Sequence, residues 1–402
     1  MGTEVERQGA MPALLLLLLP MAVAAGDAQR FDFTPGGNAA ARFEYDATRG
    51  FGFEPGSSTQ FSVRVPEGNH RVVLRFDRAR ERRKVAIQAE QRRLMIEDIE
   101  VGRRKGQVIT FAVNTRTQML PPLPADATGG TRVALKPREI GSRTWDDKLT
   151  IEFAAWPAAL QSVEVEQAAM PTLYLAGDST VTDQAVAPGA SWGQFLTRYF
   201  RDDIAVANHA ESGESLKSFV TGMRLDKLLS KVAAGDWVMI QFGHNDQKTQ
   251  WPQTHAEAGT TYRAWLRTYI AEVRRHGATP ILVTSPERRN FDSEGRIRPT
   301  LAEYAEAMRI VAREDKVALL DLNASSVRIY EALGPAVAPS AFADGGNDKT
   351  HHNEYGARLL ARAVIEALRT SDLTLTAGLP EHIAADAGIF DPSKPPSPLT
   401  RP

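Results

Sequence analysis

Cysteine is absent from the 402 residues, which removes disulfides, thiolate nucleophiles, zinc–thiolate sites and iron–sulfur clusters together. Any covalent catalysis must use another side chain. Net charge is nearly absent as well: 48 Lys and Arg against 49 Asp and Glu leave −1, which argues against a global electrostatic grip on nucleic acid, and no nucleic-acid motif is present. Long apolar runs are scarce. The one candidate, MPALLLLLLPMAVAAGDA, is too short to span a bilayer and ends with Ala22 and Ala24 in the A-x-A arrangement that suits signal peptidase. It reads as a secretory signal over residues 1–26, implying export to the periplasm or the medium and no membrane association after cleavage. The residues before it include Glu4, Glu6 and only Arg7, a poor positive region, so Met11 competes with Met1 as the start. A buried N-terminal helix is the other reading, and Pro20 interrupts it.

What remains is an ordinary globular composition, 43% hydrophobic and 24% charged, in a chain longer than one typical domain. Residues 28–167 read as β structure. FSVRV alternates apolar and polar positions, PEGN follows as a turn, and VVLRF, KVAIQ, VITFAV, LTIEF and SVEVE repeat the theme. Short strands with Gly/Pro turns and little helical period predict a β-sandwich. No acid, base and nucleophile constellation stands out there. Over residues 168–372 the grammar changes. Apolar runs (TLYLA, IAVAN, WVMIQF, PILVTS, VALLDL) alternate with helical stretches such as SLKSFVTGMRLDKLLSKV and TYRAWLRTYIAEVRRHG, and a last helix is expected from Glu354 to Leu368. That alternation predicts an α/β fold, a parallel sheet with helices on both faces. The Pro-rich tail, 373–402, is expected to be disordered or loosely docked.

In such a sheet the ligand crevice lies beyond the carboxyl ends of the strands. The residues standing there are Gly177-Asp178-Ser179, then Asn208 and Ser212-Gly213, then Gly243-His244-Asn245-Asp246, and finally Asp348-x-x-His351. Each piece alone is a common turn or helix cap. Together they supply the parts of acyl transfer. Ser179 can present a hydroxyl that an imidazole activates. Asp348, three residues before His351, can turn back to its Nδ1–H, whereas His352 projects elsewhere. The amides of Ser179 and Gly213 and the Asn245 side-chain NH2 are donors of the kind an oxyanion needs.

The blocks LAGDSTVTDQ, NHAESGESLKSF, QFGHND and DKTHHNEYGA, in that order over residues 171–370, resemble the SGNH (GDSL-type) hydrolase superfamily, and within it the rhamnogalacturonan acetylesterase-like carbohydrate esterases. The resemblance implies a flavodoxin-like three-layer αβα domain with no metal or organic cofactor. It implies Ser179 as nucleophile, Ser179, Gly213 and Asn245 as oxyanion donors, His351 as base and Asp348 as its orienter. GHND is also the form seen in the pectin acetylesterase-like branch. The upstream strands resemble the galactose- or carbohydrate-binding sandwiches that precede this domain in some bacterial members. The implied substrate is an acetylated polysaccharide, rhamnogalacturonan first. Acetylxylan or another acetylated oligosaccharide is the alternative, and a broad short-chain ester follows.

Several further residues carry two readings. Trp192 in SWGQF and Trp251 after GHND can stack on a sugar face or pack internally. Glu211 and His244 can hold the oxyanion loops through hydrogen bonds. Arg289, beside Arg288, can meet a uronate carboxylate or pair on the surface. His352 can touch substrate at the rim or hydrogen-bond backbone where the last helix begins. The basic run RFDRARERRK, with Arg92 and Arg93 beyond it, is a solvated turn or an attraction for a galacturonate-bearing polyanion. A metallophosphoesterase also uses Asp, Asn and His at strand ends, but the first block offers Ser179 where a metal ligand belongs.

Overall fold

The computed structural model describes residues 28–78, 83–101 and 106–398, with only the backbone at Arg83, Asp98 and Ile99. The signal segment and the middle of the basic run lie outside the described residues. Nine strands build the first unit: β1 Gln29–Asp32, β2 Phe51–Phe53, β3 Gln60–Arg64, β4 Gly68–Phe76, β5 Arg83–Ala89, β6 Arg93–Val101, β7 Gln107–Thr115, β8 Lys148–Phe153 and β9 Leu160–Gln167. They pair antiparallel in two sheets, ordered β1-β9-β4-β7 and β2-β3-β8-β5-β6. Alternation explains the packing. Along β4, His70, Val72, Leu74 and Phe76 are buried while the residues between them are partly exposed. The inward residues of both sheets meet in one core, which includes Phe31, Phe53, Phe61 and Phe153. Trp156 packs edge-on against three of the Phe rings, contacts worth about 0.5–1.5 kcal/mol each beyond area burial.

The second unit runs β10 Thr172–Gly177, β11 Gly189–Ala190, α1 Trp192–Leu196, β12 Ala205–Asn208, α2 Leu216–Thr221, α3 Arg224–Leu229, β13 Trp237–Gln241, α4 Arg263–Arg275, β14 Thr279–Val283, α5 Ala302–Glu314, β15 Ala318–Leu320, α6 Leu322–Val337, β16 His352–Asn353 and α7 Glu354–Arg369. Five strands form a parallel sheet in the order β12-β10-β13-β14-β15. Successive residues feed opposite layers. Leu173 and Leu175 join α1, α6 and α7 on one face, and Tyr174 and Ala176 join α2 to α5 on the other. Both faces are therefore dry, which is why these strands read as continuous apolar runs. The expected stretch SLKSFVTGMRLDKLLSKV divides into α2 and α3, because Gly222 caps α2 and Met223 takes a left-handed φ of 59°. Strands β1, β2 and β6 add to those legible as alternating runs.

The two units are docked by many side chains. Thr197 Oγ1 donates to Leu94 O at 2.6 Å, Asn69 Nδ2 to Thr172 Oγ1 at 2.8 Å, and Arg358 pairs with Glu97 at 2.6 Å. Arg93, fully buried, pairs with buried Asp183 at 2.6 Å. Arg92 donates to Gln184 O and Gly189 O. These two arginines correct the solvated-turn reading: they close the interface beside the loop that follows Ser179.

The tail also departs from expectation. Trp237 Nε1 donates to Thr376 O at 2.8 Å, and Leu379, Ala387 and Phe390 are buried against the α/β core. An apolar residue every few positions provides the adhesion that the Pro content obscures.

Candidate active site

The strand order of the parallel sheet reverses direction between β10 and β13, and the crevice of an open α/β sheet sits at that point. Ser179 follows β10 and Asn245 follows β13, so the two loops meet there. Gly177 is required by close approach, since a Cβ at that position would lie 2.5 Å from Val181 Cγ2. Antiparallel pairing of β11 with β16 sets Ala190 opposite His352. That bridge pins the segment after His351 to the segment after Ser179.

Ser179 Oγ lies 2.9 Å from His351 Nε2, and His351 Nδ1 lies 2.7 Å from Asp348 Oδ2. Asp348 Oδ1 accepts from the amides of Thr350 and His351 at 2.6 and 2.8 Å. Burial works against its charge. The two amides and the imidazole more than offset this and hold the carboxyl below its ordinary range. An ionised Asp348 keeps the His351 proton on Nδ1 and leaves Nε2 free to take the Ser179 proton. Arg289 steadies the same loop from outside: its amide donates to Lys349 O, its guanidinium to Gly346 O, and its plane lies 5.1 Å from the Phe342 ring. The structure thus engages Arg289 as a loop brace.

Opposite the triad, Gly213 holds a φ of +83°, which turns its loop back toward Ser179. Among the described residues the amides of Ser179 and Gly213 meet no protein acceptor. Asn245 Nδ2 donates one proton to Glu214 O at 2.8 Å, and Lys248 Nζ donates to Asn245 Oδ1 at 2.7 Å. The amide is thereby locked in orientation, with its second N–H uncommitted. Those three groups are of the type that stabilises a tetrahedral oxyanion.

The neighbouring candidates separate clearly. Trp192 is buried, and its Nε1 donates to Gln241 Oε1 at 2.9 Å, so the substrate-stacking reading is corrected: the apolar turn of α1 needs that ring as core. His352 is buried too. Its Nε2 hydrogen-bonds the Tyr330 hydroxyl at 2.7 Å and its ring packs 4.6 Å from Phe342, which corrects both the rim-contact and the backbone-bonded readings. Burial pushes its pKa down to about 3, so the ring stays neutral. His244 Nδ1 sits 3.3 Å from Asp178 Oδ2, and Asp178 also accepts from Thr180, which ties the loops after β10 and β13 together. Glu211 is held by Arg138. Trp251 alone is half exposed, and Lys248 Nζ lies 5.0 Å from its ring. Among the described residues no group of three or more His, Asp or Glu side chains is placed to hold a metal ion.

Sequence reasoning missed the contribution of the sandwich. Lys136 Nζ donates to Ser212 O at 2.6 Å and pairs with Glu214, and Arg138 Nε donates to Glu211 Oε1 at 2.7 Å. Glu139 pairs with buried Arg224. These side chains reach across from the connection between β7 and β8 to hold the Gly213 loop. The available signal was its length, since a long connection without strands of its own inside a compact domain is usually functional.

Residues 175–359 match the GDSL-like Lipase/Acylhydrolase family. Rhamnogalacturonan acetylesterase RhgT of Bacillus subtilis (strain 168) is 39% identical over 229 residues, covering 54% of this chain and 95% of the relative. Probable rhamnogalacturonan acetylesterase YesY of the same organism is 35% identical over 207 residues, covering 51% and 95%. A crystal structure of the Bacillus subtilis protein YxiM aligns with 85% of this chain and 98% of its own at 23% identity, with a TM-score of 0.49.

Proposed function

Because the chain belongs to the GDSL-like lipase/acylhydrolase family and is a serine carboxylic ester hydrolase acting on carbohydrate acetyl groups, we propose that it deacetylates rhamnogalacturonan through an acetyl-enzyme on Ser179. The observation that carries this reading is the continuous chain from Ser179 Oγ through His351 to Asp348, 2.9 and then 2.7 Å. Ser179 attacks the acetyl carbonyl and passes its proton to His351 Nε2. The amides of Ser179 and Gly213 and the free N–H of Asn245 receive the oxyanion, each donor lowering the barrier by about 2.7–4 kcal/mol. Collapse expels the sugar oxygen, which takes the proton from His351. Water then repeats the cycle on acetyl-Ser179 and releases acetate.

A pectic substrate is supported by the similarity to RhgT and YesY and by the charge at the crevice edge. Lys248 and Arg288 form no ion pair among the described residues. A polymer too large to enter a cell suits an exported enzyme, in keeping with the N-terminal signal-like run. Acetate release from acetylated rhamnogalacturonan, acetylated xylan and a chromogenic acetate ester tests the proposal. Preference for the pectic polymer, abolished in Ser179→Ala, is expected. Preference for xylan would remove the pectin assignment, and activity that survives Ser179→Ala but not a chelator would overturn the mechanism.

A further inference from the structure

One arginine of the sandwich has no hydrogen-bond acceptor among the described residues. Arg116, the residue after β7, is only 3% exposed, and its Nε and Nη1 are buried without a hydrogen-bond acceptor. Among the described residues it joins no ion pair. The Trp145 ring lies 4.7 Å from the guanidinium. Burial, then the nearby Arg93 charge, works against its ionised form, and the Asp183, Glu139 and Glu90 carboxylates offset this only in part. A buried cation with no carboxylate in direct contact is costly, so natural folds rarely retain one without a paired counter-charge.

Arg116 lines a cavity of about 280 Å³ between the two units, near the lower end of ligand-pocket sizes. The cavity opens beside the candidate active site. Its wall includes Ser212, next to Gly213, and Gln184, whose Nε2 donates to Ser179 O at 2.8 Å. The carboxylates on that wall are already engaged: Asp183 by Arg93, Glu139 by Arg224 and Glu211 by Arg138. The Ser142 hydroxyl lines the same cavity and is likewise buried without a partner. Arg116 and Ser142, each with an unpartnered buried polar atom, thus border one space.

We propose that this inter-domain cavity is a subsite for the carboxylate of an acidic sugar residue, which Arg116 binds with its planar fork while the Ser142 hydroxyl donates to the carboxylate or an adjacent sugar oxygen. The proposal rests on the polysaccharide-deacetylase reading only in locating the subsite beside Ser179. A guanidinium matches a carboxylate in two parallel hydrogen bonds, and the Trp145 ring fixes its plane in advance. The sandwich then acts as half of the substrate cleft, reading the charge of a sugar next to the acetylated one.

The test uses the full chain carrying Ser179→Ala, so that nothing is turned over, titrated calorimetrically with deacetylated oligomers of alternating galacturonate and rhamnose, and with the same oligomers after carboxyl reduction. At least tenfold tighter binding of the acidic oligomer is expected. Arg116→Gln in the same background should bring its affinity down to that of the reduced one, and Ser142→Ala should weaken it severalfold. Arg116→Gln should melt at or above the parent temperature, because removing an unpaired buried charge relieves the fold. Equal affinity for the two oligomers, no binding of either, or a lowered melting temperature with unchanged affinity in Arg116→Gln would overturn the subsite. The comparison of oligomers needs no arginine variant, and it is decided independently of which acetylated polymer is hydrolysed.

Discussion

The adjacent histidines should fail in different ways, and the difference can be worked from their surroundings. His351 bridges Ser179 and Asp348 with 43% of its side chain exposed. His351→Ala therefore removes little packing, with an expected stability change under about 1 kcal/mol. It removes the base entirely, and loss of a triad base costs about 10⁵-fold or more in kcat, about 7 kcal/mol of barrier. His352→Ala reverses the pattern. It empties a buried site against Phe342 and leaves the Tyr330 hydroxyl without its hydrogen-bond partner. The cavity and the orphaned hydroxyl together cost about 3–5 kcal/mol, a fall in melting temperature of roughly 6–20 °C for a domain of this size. Where the variant remains folded, kcat should stay within about tenfold of the parent. Melting curves and chromogenic acetate turnover on both variants make the comparison. A His352→Ala protein that is as stable as its parent but inactive, or a His351→Ala protein that keeps more than a few per cent of kcat, would refute the assignment.

Three other outcomes follow from the geometry. Asn245→Ala should lower kcat about 10²–10³-fold with little change in KM, because the lost donor acts on the oxyanion more than on the ground state; single-turnover acetate release measures it. Arg93→Met leaves Asp183 buried with only Asn208 Nδ2 to support it, and denaturant unfolding should register a loss of about 3–5 kcal/mol. Asp246 is buried, its Oδ2 has no partner, and burial pushes its pKa up to about 8, far above the usual carboxylate range. Its neutral form is therefore favoured in the fold, and the stability it contributes is complete below about pH 4 and lost as pH rises toward 8. Asp246→Asn removes that titration, so its stability relative to the parent should grow by about 4 kcal/mol between pH 5 and pH 8. Parallel stability–pH curves for the two proteins would contradict this.

Much of the fold was legible because the signals are local. A period of two over residues 28–167 and apolar runs alternating with helical stretches afterwards both follow from which faces must be dry. The places where reading the chain went astray share a cause. His352 is a residue type that serves equally as contact or as core, and only its packing against Tyr330 and Phe342 decides between them. The helical stretch after Gly213 is broken by a left-handed Met223 that no propensity marks in advance.

The sequence by itself determined that Ser179, Gly213, Asn245 and His351 would stand at the carboxyl ends of one parallel sheet, since strand polarity and chain order dictate where each following loop emerges. It determined the Asp348 to His351 contact as well, because a three-residue offset within one turn is a local geometry. Only the tertiary structure decided which side chains of the sandwich reach the Gly213 loop, and that Arg116 lines a cavity whose acids are paired with other cations. Lys136, Arg138 and Arg116 are basic residues like many others along the chain. The partners of Lys136 and Arg138 lie 73 or more positions away on the α/β unit, and the docking of the two surfaces, which no local pattern encodes, leaves Arg116 without an ion pair among the described residues.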